Sequence, residues 1–151
     1  MNKITPFLWF ETQAEEAANL YASIFPRSKV VSISRAGGQV MSAEMELEGQ
    51  RVVALNGRPA FQFNESFSFL ISCETQQEID ELWNKLSANG GSPGRCGWLK
   101  DKFGLSWQVV PAAMPRLLGG SDPARTKRVV DAMMQMSKLD LGRLQGAYDA
   151  A

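Results

Sequence analysis

The alternation of apolar and polar side chains is sharpest over residues 105–110. Leu105, Trp107 and Val109 point one way, and Ser106, Gln108 and Val110 the other. That is the period-2 signature of a strand with two unlike faces. Residues 98–101 read as its partner, and Lys102-Phe103-Gly104 as the tight turn between them. At the start of the chain, 4–10 reads as a strand with Pro6 near its beginning, where a missing donor is tolerated at an edge. The period then becomes helical: Ala14, Ala17, Ala18, Tyr21, Ile24 and Phe25 share one side, and Pro26 ends the helix. Strands follow at 29–35, 40–48 and 51–56, divided by Gly37-Gly38 and Gly49-Gln50. In the middle strand Met41, Ala43, Met45 and Leu47 form one face, and Ser42, Glu44, Glu46 and Glu48 the other. A turn at Asn56-Gly57-Arg58-Pro59 leads through 60–65, where Phe61 and Phe63 alternate, into a strand over 66–73. A second amphipathic helix buries Ile79, Leu82, Trp83 and Leu86 and stops in the glycine-rich stretch 89–94.

Both helices open on the same letters. Glu-Thr-Gln-x-Glu begins at residue 11 and again at residue 74. In each copy the threonine with a glutamate three residues on predicts a capping box: the hydroxyl accepts from an orphan N–H, and the carboxylate reaches back to the cap's own N–H. Each copy follows a strand containing Phe-Leu, and each helix carries Leu beside a large aromatic, Leu20-Tyr21 and Leu82-Trp83. The common order of strand, box and helix points to an internal duplication. The expected architecture is α+β: two β-α-β-β(-β) modules, about 1–62 and 63–111, the second abbreviated, then a helical tail over 112–151. In the tail, 112–120 predicts a short helix or turn. Ser121 or Asp122 caps a helix from Pro123 to about 138 that turns Val129, Val130, Met133 and Met136 inward. A last helix over 140–148 is weakened by Gly142 and Gly146, and Arg125, Lys127 and Arg128 form a solvated face. The tail suits packing on its own sheet or against a second subunit.

Composition narrows the chemistry. At 151 residues and 44% hydrophobic content the chain builds a real core. Lysine plus arginine balance aspartate plus glutamate at 16 each, so there is no electrostatic footprint for a nucleic-acid backbone. No apolar run is long enough to span a membrane, and the N-terminus lacks the pattern of a secretory signal. Cys73 and Cys96 lack CxxC spacing and read as free thiols of a cytoplasmic protein. Near Lys100 and Lys102, Cys96 is either an activated thiol or a buried inert one. The chain has no histidine. That removes Ser-His and Cys-His nucleophile pairs and any histidine-rich metal site. Glu44 and Glu46 could be ligands or acid/base groups at a pocket mouth, but the simpler reading is the solvated side of a half-buried sheet.

The motifs resemble a known family. Phe10, the helix ending Ser23-Ile24-Phe25-Pro26-Arg27-Ser28, the run Ala54-Leu55-Asn56-Gly57-x-Pro59-x-Phe61-x-Phe63-Asn64-Glu65, Ser68-Phe69, and the stretch from Cys96-Gly97-Trp98-Leu99-Lys100-Asp101 to Pro111 carry the likeness. They resemble the PhnB-like proteins, often labelled 3-demethylubiquinone-9 3-methyltransferase-like, of the glyoxalase/bleomycin-resistance (vicinal oxygen chelate) superfamily. The likeness covers nearly the whole chain, tail included; Arg58 departs from it, where the family's loop often has a second glycine. It implies paired βαβββ modules forming a cupped sheet with a pocket, commonly completed in a homodimer. Superfamily enzymes hold a divalent metal with His, Glu or Gln. Here the end-strand ligand position is matched by Gln108, and one amide with Glu44 or Glu46 is a poor site for a transition metal. No glycine-rich turn after a first strand supports a cradle for a nucleotide-like methyl donor.

Three functions therefore compete. The first is a metal-free small-molecule-binding protein with no cofactor. Its pocket would be walled by Trp9, Phe63, Trp98 and Trp107 and oriented by Asn56, Asn64 and Gln108. For each aromatic, plain core packing is the competing role. The second is an enzyme on an aromatic or quinone-like substrate, a methyltransferase by label, with Glu65 or Glu44 as a general base raised toward neutrality by burial. The third is an interaction dimer with a vestigial pocket, which a pocket filled by Trp98 and Trp107 packed against each other would support.

Overall fold

A computed structural model describes residues 2–151. The chain divides between Phe63 and Asn64 into two compact units. In the first, β1 (Phe7–Phe10), α1 (Ala14–Ile24), β2 (Ser28–Ala36), β3 (Gln39–Leu47) and β4 (Gln50–Asn56) follow in order. The strands form one sheet in the order β1-β4-β3-β2. β1 runs parallel to β4, Phe7 opposite Val53 and Phe10 opposite Asn56, while β3 pairs antiparallel with both neighbours. The alternation anticipated in β3 is present: Ala43, Met45 and Leu47 are buried beneath α1, whose Ala17, Ala18, Tyr21 and Ile24 face them. Met41, at the far end of the same face, is exposed.

Helix α1 departs from the capping prediction. It starts at Ala14 with Gln13 at the cap, and no side chain of its own segment caps it. Thr12 stands one residue too early. The acceptor comes from another strand instead: Asn56 Oδ1 receives the Ala14 N–H at 2.8 Å, while Asn56 Nδ2 donates to the Val40 carbonyl at 3.1 Å. Asn56 closes β4 opposite Phe10, so its carboxamide stands where the chain leaves β1 for the helix.

The second unit repeats the plan with shorter strands. β5 (Ser68–Cys73), α2 (Gln76–Ser87), β6 (Ser92–Pro93), β7 (Trp98–Lys100) and β8 (Ser106–Pro111) form a sheet in the order β5-β8-β7-β6. Here the capping box forms: Thr75 Oγ1 accepts from Glu78 N–H at 3.2 Å, and the Glu78 carboxylate reaches back to Glu74 N–H at 2.7 Å, one residue beyond the cap's own. α2 lays Ile79, Leu82, Trp83 and Leu86 on the face carrying Leu99, Trp107 and Val109. Each such side chain, fully buried, contributes about 1.5–3 kcal/mol.

The hairpin turn is built on Asp101, which is buried. Its Oδ1 accepts from Phe103 N–H (2.9 Å) and Leu105 N–H (3.1 Å), and its Oδ2 from the Trp107 indole N–H (2.9 Å). One carboxylate thus fixes the turn and locks the indole on the core side.

The tail consists of α3 (Met114–Leu118), α4 (Pro123–Met134) and α5 (Leu141–Asp149). Met114, Leu117, Val129, Met136, Leu139 and Leu144 form their common core. α4 stops at Met134, four residues short of the expected end, because the chain turns there to meet the hairpin. Cys96 N–H and Gly97 N–H donate to the carbonyls of Met136 and Ser137 at 2.9 and 2.8 Å. Gly97 is obligatory: its φ is +85°, and a Cβ there would stand 2.9 Å from the Val109 carbonyl oxygen and 3.0 Å from Leu139. The basic cluster of α4 is not simply solvated. Arg128 donates to the carbonyls of Ala147 and Ala150 at the end of α5, and Arg125 lies over the Tyr148 ring at 4.6 Å.

Candidate binding cleft

The open face of the second sheet is set by the pairing register. Residues directly opposite one another project to the same side. Ser68 lies opposite Ser106, Ser106 opposite Lys100, and Lys100 opposite Ser92, so one polar row crosses all four strands. Two residues along, Leu70, Gln108 and Trp98 form an adjacent, more apolar row. On this face lies a cleft of about 480 Å³, lined among others by Glu65, Arg95, Trp98, Lys100 and Ser106. The Lys100 ammonium is held by the Glu65 carboxylate at 2.6 Å. Arg95 donates to the Met134 carbonyl at 3.0 Å. Ser106 is 1% exposed, and its Oγ is the one buried side-chain polar atom among the described residues without a hydrogen-bond partner.

Of the side chains expected to form a pocket, Trp98 lines the cleft, and Gln108 stands beside it on the same face with its Nε2 donating to Ser68 Oγ at 3.0 Å. Trp107 does not. It projects to the opposite face with Leu99, is buried, and stacks at a tilt on Phe69 with ring centroids 5.1 Å apart. Trp98 lies opposite Gln108, the neighbour of Trp107 on β8, so the hairpin register puts the two indoles on opposite faces and they do not pack against each other. Asn64 makes a local turn, its Oδ1 accepting from Ser66 N–H at 2.9 Å. Trp9, Asn56 and Phe63 belong to the first unit. Asn56 is the helix cap already described. Phe63 meets Phe10 edge-on at 5.1 Å. Trp9 donates its indole N–H to the Arg58 carbonyl at 3.0 Å and covers Gly57, where a Cβ would collide with the ring at 2.3 Å. Arg58 takes no positive φ, so the position does not require a glycine.

Neither glutamate has the environment of a general base. The Lys100 hydrogen bond holds the Glu65 carboxyl below its ordinary value, and Arg51 does the same for Glu44. Both shifts run opposite to what proton abstraction near neutral pH requires. Cys73 is a buried free thiol, pushed up to about 12 by burial and by the Glu78 charge. Cys96 is also free; its Sγ lies 3.6 Å from Met134 Sδ, while the Lys100 ammonium goes to Glu65. Ser106, Arg95 and Ser92 carry no sequence motif that marks them, and Lys100 draws notice only beside Cys96, although the 105–110 alternation puts Ser106 on the face of Gln108.

The donor sets do not fit the groups the superfamily uses. Among the described residues no three His, Cys, Asp or Glu side chains converge on a point. Gln108 turns an N–H toward Ser68, and the carboxylate at the cleft is paired with an ammonium. A methyl donor's cradle needs glycines that open room for a ligand. Gly91 and Gly94 instead abut the carbonyls of Ser87 and Trp98, where a Cβ would stand 2.7 Å away in each case.

The sheets, their βαβ order and these helices define a glyoxalase-type α+β protein. The chain belongs to the 3-demethylubiquinone-9 3-methyltransferase family, that of the PhnB-like proteins, whose profile matches residues 2–110. The match stops before the helices of the tail, narrowing the likeness anticipated from sequence. A PhnB protein from Bacillus cereus is 37% identical over 72% of this chain and 99% of its own, with a TM-score of 0.68. Protein PA1353 from Pseudomonas aeruginosa, 21% identical over 74% of this chain and 98% of its own (TM-score 0.58), shares the fold. So does the fosfomycin resistance protein FosX from Listeria monocytogenes, 13% identical over 78% of this chain and 95% of its own (TM-score 0.54). No curated protein matches the chain. No helix is long and apolar enough to cross a membrane among the described residues.

Proposed function

We propose that this chain is a metal-free, cofactor-free small-molecule-binding protein whose ligand lies on the open face of the second sheet against Trp98, and that it works as a homodimer in the cytoplasm. The observation that carries the binding reading is Ser106, a residue lining a cleft of about 480 Å³ whose buried hydroxyl has no partner. Leaving such a group unpaired costs about 1–3 kcal/mol. A ligand that hydrogen-bonds it removes that cost, and Trp98 beside it offers a flat apolar wall. The dimer is supported by apolar side chains on edge strands: Phe7 on β1 and Leu70 on β5 are 60% and 57% exposed. Two free thiols favour the reducing compartment. Glu65 and Glu44, each held below the ordinary carboxylate value by its cation partner, are weakened as bases, which favours binding over catalysis.

The test is a thermal-shift panel on metal-stripped protein with divalent metals, S-adenosylmethionine, quinones and planar aromatic compounds. A ligand at about 100 times its Kd stabilises by roughly 2.7 kcal/mol, several degrees in Tm for a chain of this size. Shifts are expected with planar aromatics and are lost in Trp98→Ala. A shift with a metal or the methyl donor overturns this reading in favour of an enzyme. Silence throughout moves it to an interaction protein.

A further inference from the structure

Resting on that binding reading, we infer that the ligand carries an anionic group, carboxylate or phosphate, on an aromatic or apolar body, and that Glu65 is an internal stand-in for that anion. Three features lead there. The polar row Ser68–Ser106–Lys100–Ser92 and the row Leu70–Gln108–Trp98 run side by side, so the face is amphipathic across a single molecule's width. Lys100 is the cation of the polar row, directly opposite the unpartnered Ser106, and Arg95 adds a second positive charge at the cleft against the single carboxylate of Glu65. That carboxylate comes from the irregular segment ahead of β5 and is well exposed, with 64% of its side chain open to solvent. An exposed ion pair is weak and readily exchanged. A ligand anion that displaces Glu65 keeps the Lys100 charge satisfied and also gives the Ser106 hydroxyl an acceptor, which Glu65 does not. The exposed carboxylate loses little on release to water. Glu65 thus lowers the affinity of the cleft for anions, while Ser106 and Lys100 recognise them.

Titration of the full-length protein with 1-naphthoate, 1-naphthyl phosphate, 1-naphthamide and inorganic phosphate, followed by calorimetry, tests the inference. The aromatic anions are expected to bind at least tenfold tighter than the neutral amide, the stronger of the two identifying the acid. Glu65→Gln tightens the anions several-fold and leaves the amide unchanged. Lys100→Met erases the difference between anion and amide, and Ser106→Ala weakens anions and amide alike, since each offers the hydroxyl an acceptor. An amide that binds as tightly as the naphthoate, with Glu65→Gln inert, overturns the anion assignment and leaves small-molecule binding standing. Binding of inorganic phosphate as tightly as the naphthyl phosphate, untouched by Trp98→Ala, overturns the amphipathic ligand. No binding by any of the four overturns both this inference and the reading beneath it.

Discussion

At the scale of single residues, two buried polar groups behave oppositely because one is satisfied and the other is not. Asp101 accepts three hydrogen bonds inside the hairpin. Asp101→Ala strands the Trp107 indole and two backbone N–H groups, and a loss of about 3 kcal/mol is expected in urea unfolding. Ser106 accepts none. Ser106→Ala is therefore expected to leave the free protein unchanged or to stabilise it by about 1 kcal/mol, an uncommon sign for a buried position. A clear destabilisation would show that the hydroxyl is already satisfied. Cys73 gives a pH signature. Its thiol is pushed up to about 12 by burial, then by the Glu78 charge, so above about pH 9 the unfolded chain releases a proton that the folded chain keeps. Stability should fall as pH rises from about 9 to 12. Cys73→Ala should start lower and decline less steeply over that window.

At the scale of elements, one five-residue motif precedes two helices and caps only the second. Thr75→Ala is expected to cost about 1 kcal/mol, the usual worth of a cap, and Thr12→Ala far less. Asn56→Ala should exceed both, since it uncaps α1 and leaves the Val40 carbonyl without its donor. Thermal unfolding of the three variants checks the order. This contrast shows what the sequence could convey. Periods of 2 and 3.6 placed β3, β8, α1 and α2 to within a residue or three, because burial of one face dictates them locally. Asn56 as the cap of a helix some forty residues earlier depends on the parallel β1–β4 register, which no local pattern encodes. The same holds for the cleft. Alternation told Ser106 from Trp107, but the row joining Ser106 to Lys100 needed the hairpin register.

At the scale of the whole molecule, each unit has its own sheet and helix layer, and the tail belongs to the second through the Met136 and Ser137 carbonyls at the hairpin and the core it shares with Gly97. Membership of a methyltransferase-labelled family does not by itself name a reaction: the Glu65 carboxyl at the cleft is held below its ordinary value by Lys100, and among the described residues no three His, Cys, Asp or Glu side chains converge. The central claim, that this face of the second sheet binds small molecules, is tested most directly by amide and indole NMR shifts of the full chain titrated with planar aromatic acids and amides. The expected result is saturable perturbation concentrated on Trp98, Lys100, Ser106 and Gln108, with the Trp107 indole, on the far face, nearly still. Shifts that gather elsewhere, or none at millimolar ligand, would contradict it.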